Sequence, residues 1–296
     1  MECAVRHALI VNPAAGGGRA RKLLPRVERA FAARGLAGHT VLTASLDHAV
    51  DAARQAAGAG EVPVLMSGDG LIGHVGGALA GTGSRLGIVP GGRGNDLARV
   101  LGIPRDVDGA MDVLAAGEVR EIDVGEANGR RFLGIASCGF DSDANRHANE
   151  ARLVRGNLVY LYAALRALAA WKPARFELTL DGERIAFRGY SVAAANNKAY
   201  GGGMYAAPAA ELDDGLLDVV WCNDVPKRRL LFTLLPRVFK GTHVELEEVV
   251  VERAREVEIA ADRPFAVYAD GDWLCDLPAR VRLLPRALRV IAPGVT

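Results

Sequence analysis

An α/β domain followed by a mainly antiparallel β-sandwich is the fold class this sequence predicts. Three observations carry the prediction. Up to about residue 125, short apolar runs alternate with segments of helical period, the pattern of a parallel sheet covered on both faces. After about Asp123 the texture turns β-rich, with hairpin signals and frequent turns. The length, 296 residues, suits two domains, placed at residues 1–125 and 126–296.

Ala8–Val11 reads as a buried strand, ended by Asn12-Pro13 and the glycines Gly16, Gly17 and Gly18. Leu23, Val27, Ala30 and Phe31 then recur at helical spacing, with Gly35 as a stop. Pro25 lies inside that pattern, so the helix either begins near Leu24 or is kinked. Thr40–Thr43 is the second strand, and Asp47–Ala57 an amphipathic helix with Asp47 as candidate N-cap. Val62–Met66 runs straight into Ser67-Gly68-Asp69-Gly70, and Leu86–Val89 into Pro90-Gly91-Gly92-Arg93-Gly94-Asn95-Asp96. In the second half, Phe176–Leu180, the turn Asp181-Gly182 and Arg184–Phe187 form a hairpin. Further strands are expected at Tyr190–Ala194, Leu217–Trp221, Val257–Ala260, Phe265–Tyr268 and Val281–Leu284. Two helical patterns interrupt them, Leu158–Trp171 and Lys227–Phe239, the latter with Pro236 near its end.

Half of the residues are hydrophobic, which excludes a disordered chain. The 36 basic and 35 acidic residues leave a net charge of +1, against a protein that coats nucleic acid. No apolar run reaches the length of a membrane span, and the opening MECAVRHALIVNP lacks the pattern of a secretory signal. Cys3, Cys138, Cys222 and Cys275 form no metal-binding spacing and read as free thiols in a reducing cytosol.

Chemistry is expected at the glycine-rich loops, because ligands of a parallel sheet bind beyond its carboxyl ends. At Gly68-Asp69-Gly70 the backbone N–H groups suit phosphate oxygens, and the Asp69 carboxylate can hold Mg²⁺; the same residues also make a simple turn. Pro90–Asp96 repeats the design, with Asn95 or Asp96 alternatively capping the next helix. Asp123 follows the next apolar stretch. Three carboxylates at successive strand ends suit a metal–nucleotide site better than three independent caps.

Seven motifs stand in one order along the chain. They are Asn12-Pro13-Ala14-Ala15-Gly16-Gly17; Ser67-Gly68-Asp69-Gly70-Leu71; Pro90 to Asp96 with Leu101-Gly102-Ile103-Pro104; Gly139-Phe140-Asp141; Tyr200-Gly201-Gly202-Gly203-Met204; Leu212-Asp213-Asp214-Gly215-Leu216-Leu217; and Asp270-Gly271-Asp272. In this order they resemble the soluble diacylglycerol kinase family, which includes sphingosine and ceramide kinases and bacterial lipid-kinase-like proteins. The resemblance covers nearly the whole chain. It implies an α/β nucleotide domain, then a β-sandwich, with both serving one active site and the tail after about Pro285 returning to the first domain. The implied reaction moves the γ-phosphoryl of ATP to a lipid hydroxyl, foremost diacylglycerol to phosphatidic acid.

By that resemblance Asn12, Pro13, Gly16, Thr43, the backbone of Gly68–Leu71, Arg93, Gly94 and Asn95 bind the nucleotide. Asp69, Asp96 and Asp123 organise the catalytic Mg²⁺, and Asp272, assisted by Asp270, is the base. A structural Mg²⁺ falls on the Asp214 side chain with the backbone carbonyls of Glu211 and Leu216. Read without the family, Asp213-Asp214-Gly215 is a β-turn. Leu71 and Arg93 stand where the family has Thr, and His74 and Asp272 where it has Glu. These departures leave open a catalytically weakened lipid- or nucleotide-binding relative. A sphingoid or ceramide kinase is a further alternative; an NAD kinase shares the Gly-Asp-Gly loop, but the sandwich motifs argue against it.

The resemblance implies a protein of the cytoplasm that visits the inner membrane face, and a homodimer. Lys227, Arg228 and Arg229 precede Leu230, Leu231, Phe232, Leu234 and Leu235, with Arg237 and Lys240 after. This is either a basic amphipathic helix for anionic lipid or an ordinary helix packed on the sandwich. Tyr160, Tyr162, Leu165, Leu168 and Trp171 line an acyl-chain pocket or belong to the core. His48 and His147 read as surface residues.

Overall fold

The computed structural model describes residues 5–140, 142–143, 166–201 and 203–294. Cys3, Asp141, His147, Leu158, Tyr160, Tyr162, Leu165 and Gly202 lie outside the described residues. The chain forms two compact units, Met1–Val124 with Pro285–Thr296, and Gly125–Leu284.

The first unit is built on strands β1 (Arg6–Val11), β2 (Ala37–Leu42), β3 (Val62–Ser67) and β4 (Arg85–Pro90). They pair in parallel in the order β2-β1-β3-β4. β3 is buried along its whole length, which an uninterrupted apolar run permits under helices on both faces. β2 begins at Ala37, ahead of the expected Thr40, because its pairing is carried by backbone while nearly all its side chains are exposed.

The helices are α1 (Ala15–Ala33), α2 (Leu46–Gly58), α3 (Asp69–Leu79), α4 (Asp96–Val100) and α5 (Val107–Ala116). α1 opens as a left-handed turn, with φ of 63°, 70° and 89° at Gly16, Gly17 and Gly18, and holds Pro25 inside it. The cap of α2 is Ser45, whose Oγ accepts the His48 N–H at 3.1 Å. Asp47 is not the cap; it lies within the first turn, where a carboxylate favours the helix dipole. His48 is exposed, and its Nδ1 accepts the Ala44 N–H at 3.2 Å.

β5 (Val119–Ala127) leads out of this unit, and the last strand re-enters it. Between them lie β6 (Arg130–Phe132), β7 (Ile135–Gly139), β8 (Ala174–Leu180), β9 (Glu183–Ala195), β10 (Ala199–Tyr200), β11 (Met204–Tyr205) and β12 (Leu217–Asn223). β13 (Val249–Ala254), β14 (Glu256–Ala261), β15 (Ala266–Ala269), β16 (Asp272–Asp276) and β17 (Ala279–Ile291) complete the set.

Pairing inside the second unit is antiparallel. β9 is its pivot: the first half pairs with β8, and residues from Gly189 onward pair with β12 and β7. A Cβ at Gly189 would stand 2.0 Å from the Cys222 carbonyl oxygen, so only glycine lets the strand change partners there. Aromatic rings fill the core. Trp171 stacks on Tyr190 with centroids 6.0 Å apart, and Phe176 on Phe187 at 5.2 Å. Leu168 and Trp171 are therefore core residues.

Helix α6 spans residues 227–238, with a π-helical stretch at Leu230–Leu234. Leu230 and Leu234 are buried in the sandwich core. Past residue 284, β17 pairs in parallel with β4, and the Gly81 N–H donates to the Ala287 carbonyl at 2.7 Å. Cys138, Cys222 and Cys275 are buried thiols outside any disulfide among the described residues. Among the described residues no helix is long and apolar enough to cross a membrane.

Candidate active site

The loops after β1, β3 and β4 interlock through missing side chains. A Cβ at Gly16 would lie 2.6 Å from the Gly91 carbonyl oxygen, and one at Gly92 only 2.5 Å from the Gly68 Cα. Any larger residue forces backbone apart, so the three loops pack backbone against backbone.

Asn95 holds the third loop shut. It is fully buried in the left-handed region, at φ 54°. Its Oδ1 accepts the Gly92 N–H at 2.8 Å, and its Nδ2 donates to the Gly92 carbonyl at 3.1 Å. Its side chain therefore does not cap α4. Asp69 reaches across instead, its Oδ1 accepting the Leu97 N–H at 3.3 Å.

The other oxygens of Asp69 and Asp96 converge. A Cβ at Gly94 would stand 2.9 Å from Asp69 Oδ2 and 3.3 Å from Asp96 Oδ2. The Arg99 guanidinium holds Asp96 through its opposite oxygen at 2.6 Å. Two carboxylates thus flank a space that glycine leaves empty, a donor set of hard oxygens suited to Mg²⁺.

Asp123 does not join them in a three-carboxylate cluster; among the described residues no three acidic, His or Cys side chains form one. It is fully buried, and its Oδ1 accepts the Arg286 N–H at 2.7 Å, tying down the returning tail.

The remaining nucleotide candidates surround these loops. Asn12 Oδ1 accepts the Ala14 N–H at 3.0 Å and shapes the turn through Pro13. The buried Thr43 hydroxyl donates to the Val11 carbonyl at 3.2 Å, joining the ends of β1 and β2. The exposed Arg93 guanidinium lies 3.6 Å from the position of a Cβ on Gly17, at the first loop. Gly70 and Leu71 are half-buried in the first turn of α3, and His74 Nδ1 lies 2.9 Å from the Gly70 carbonyl oxygen.

In the second unit, Asp270-Gly271 is the two-residue turn between β15 and β16, with φ of 53° and 93°. Asp270 Oδ2 accepts the Leu133 N–H at 2.9 Å. The Leu133 carbonyl in turn accepts from the buried Asn196 and Asn197 amides at 3.0 and 3.2 Å. A Cβ at Gly134 would sit 2.3 Å from Asp270 Oδ1, so a larger residue there would displace this carboxylate. Asp272 is exposed at the start of β16. Sequence reading missed Asn196 and Asn197; their signal was an amide pair closing an apolar strand.

A second acidic group surrounds Arg253. Asp214 Oδ1 accepts the Leu216 N–H at 3.0 Å, and its Oδ2 pairs with the Arg253 guanidinium. Asp218 is buried, with Oδ2 3.8 Å from Arg253 Nε and no hydrogen bond to it. Burial first, and then the nearby Glu211, push its carboxyl above the ordinary range. An oxygen left in this state fits a hard cation. Asp218 also went unread, although it is the one acidic residue in the otherwise apolar stretch Leu217–Trp221.

An open cavity of about 400 Å³ in the same unit is lined by Ser142, Trp171, Arg263, Phe265 and Tyr268 among others. The Arg263 guanidinium lies 4.8 Å over Trp171 and 4.9 Å over Phe265.

Comparison with known proteins agrees with both halves. Residues 6–127 match the diacylglycerol kinase catalytic domain, and residues 134–292 the YegS C-terminal NAD kinase beta sandwich-like domain. A diacylglycerol kinase of Mycobacterium tuberculosis is 39% identical over 237 residues, covering 78% of this chain and 76% of that protein. One from Bacillus subtilis is 27% identical, covering 97% and 96%. The fold matches a solved structure of a diacylglycerol kinase from Bacillus anthracis with a TM-score of 0.75 at 22% identity, over 98% of this chain and 97% of that one. With both domain models matched in order, the chain belongs to the diacylglycerol kinase family of lipid kinases.

Proposed function

We propose that this lipid kinase transfers the γ-phosphoryl group of ATP to the free hydroxyl of diacylglycerol, giving phosphatidic acid, at the inner face of the cytoplasmic membrane. The convergence of Asp69 and Asp96 on the side-chain-free Gly94, within interlocked glycine loops, carries this reading. Phosphoryl transfer needs little covalent work from a protein and much positioning and charge compensation. Gly68, Gly70 and Leu71, at the start of α3, offer N–H groups to the phosphates, and Asn12, Pro13, Gly16 and Thr43 flank the nucleotide. Arg93 brings a planar donor to the first loop. Asp69 and Asp96 would hold Mg²⁺, which supplies compensation for the charge of the phosphates. Asp123 acts indirectly, by fixing the tail through Arg286.

Asp272 is the general base. As the lipid oxygen bonds to the γ-phosphorus, the bond to the β-phosphate oxygen breaks, ADP leaves, and the hydroxyl proton passes to the Asp272 carboxylate. Asp270 positions its turn through the Leu133 N–H. Asp214, with the Glu211 and Leu216 carbonyls, would bind a structural Mg²⁺; Asp218 lies close enough to Glu211 to feel its charge.

Incubation with labelled ATP, Mg²⁺ and a panel of lipids should label diacylglycerol. Asp69→Ala and Asp272→Asn should each lower turnover by about a hundredfold or more. Labelling of ceramide or a sphingoid base instead would reassign the substrate, and labelling of no lipid would overturn the catalytic reading. Leu71 and Arg93 favour a second reading, a weakened relative that binds without efficient turnover. Leu71→Thr and Arg93→Thr should raise activity under that reading, and leave or lower it under the first.

A further inference from the structure

We propose that the outward face of α6 docks the protein on anionic bilayers by inserting Phe232 and Phe239 among the lipid headgroups. The idea rests on the lipid-kinase reading for its purpose but not for its test. α6 has two apolar faces rather than one. Leu230 and Leu234 fill the sandwich core, while Arg228, Phe232 and Pro236 on the helix and Phe239 and Lys240 just past its end are exposed. Phe232 is 76% exposed, the most exposed of the large hydrophobic residues described, and Phe239 is 55% exposed. Among the described residues, packing leaves more than half of each phenylalanine uncovered.

Charge names the occupant. From Val225 to Val244 the chain carries five basic residues and no acidic one, against a net charge of +1 overall. Arg229 is committed to Glu248 at 2.5 and 3.1 Å, and the Lys227 ammonium donates to the Ala169 carbonyl at 3.0 Å. Arg228 and Lys240 are exposed and flank the two rings along the chain, Arg237 lies close enough to Glu248 to lower its carboxyl pKa, and Glu245 and Glu247 stand on the turn that follows. Exposed aromatics flanked by cations match a surface with a negative headgroup layer over an apolar interior. The π-helical stretch at Leu230–Leu234 coincides with this face, and such stretches concentrate at functional positions.

Sedimentation with vesicles of equal parts phosphatidylglycerol and phosphatidylcholine tests the proposal, without ATP or diacylglycerol present. Wild-type protein should bind these and not vesicles of phosphatidylcholine alone. Phe232→Ser with Phe239→Ser should weaken binding about tenfold or more, and Arg228→Gln or Lys240→Gln about fivefold each. Thermal melts and turnover of a dispersed short-chain diacylglycerol should stay at the wild-type level. Phe232→Trp should gain fluorescence quenched by lipids with brominated chains, beyond the background of the three native tryptophans. Absent wild-type binding, undiminished binding by the serine pair, or no added quenching in the Phe232→Trp variant would each overturn the proposal. So would a concentration-dependent dimer that the serine pair dissolves, which would assign the face to a second copy. Failure to phosphorylate any lipid, with vesicle binding intact, would strike the catalytic reading alone.

Discussion

At the scale of single residues, the glycines of the loops differ in what they make room for. Gly92 faces backbone, the Gly68 Cα, whereas Gly94 faces two carboxylate oxygens. Gly92→Ala should therefore cost about 1–3 kcal/mol of stability, because neither loop can yield. Gly94→Ala should leave the melting temperature nearly unchanged but depress kcat, as its methyl group occupies the space between Asp69 and Asp96. Thermal melts beside steady-state assays at varied Mg²⁺ separate the two. The strand–Gly–Asp–Gly pattern made this corner readable in one dimension. Asn95 was harder: a cap and a loop clamp share the same letter, and only the left-handed backbone decides between them. Asp218 and the Asn196-Asn197 pair were silent because their meaning depends on Arg253, Glu211 and Leu133, all distant along the chain.

At the scale of elements, α6 shows how one amphipathic pattern can hold two answers. Sequence reading offered membrane or core; Leu230 and Leu234 pack into the core while the rings of Phe232 and Phe239 face outward. The helix is tethered by Arg229, whose guanidinium beside Glu248 holds that carboxyl below the ordinary range. A lowered carboxyl pKa gives stability that is present above the unfolded value, about 4.3, and is lost as pH falls through the folded one. Glu248→Gln should thus melt below wild type at pH 7, with the difference closing as both are acidified. Melts across that range check it; a constant difference would remove the pair from the account. β2 was misplaced for the opposite reason to α6. An edge strand with exposed side chains has no hydrophobic alternation to announce it.

At the scale of the whole molecule, the change from alternating α/β to β-rich texture was plain because periods of 3.6 and 2 leave different apolar spacings. The return of the tail was not legible in periodicity and came only through the family resemblance. Among the described residues each unit also buries one histidine, His7 in the first and His243 in the second. Burial, the larger effect in both, lowers their pKa. The unfolded chain then binds protons that the folded one refuses, so stability falls as pH drops below about 6.5 and levels off below the folded values. Denaturant titrations at pH 7.5 and 5.5 should show this loss, and His7→Gln with His243→Gln should flatten it even if both variants start less stable.

The path of β17 also sets a timetable. Its final stretch seals the free side of β4, takes the Gly81 N–H and presents the Arg286 N–H to buried Asp123. A ribosome must finish every sandwich residue before that stretch emerges. Until then the strands already made wait with an open sheet margin and a carboxylate lacking one of its donors, a period in which they depend on chaperones.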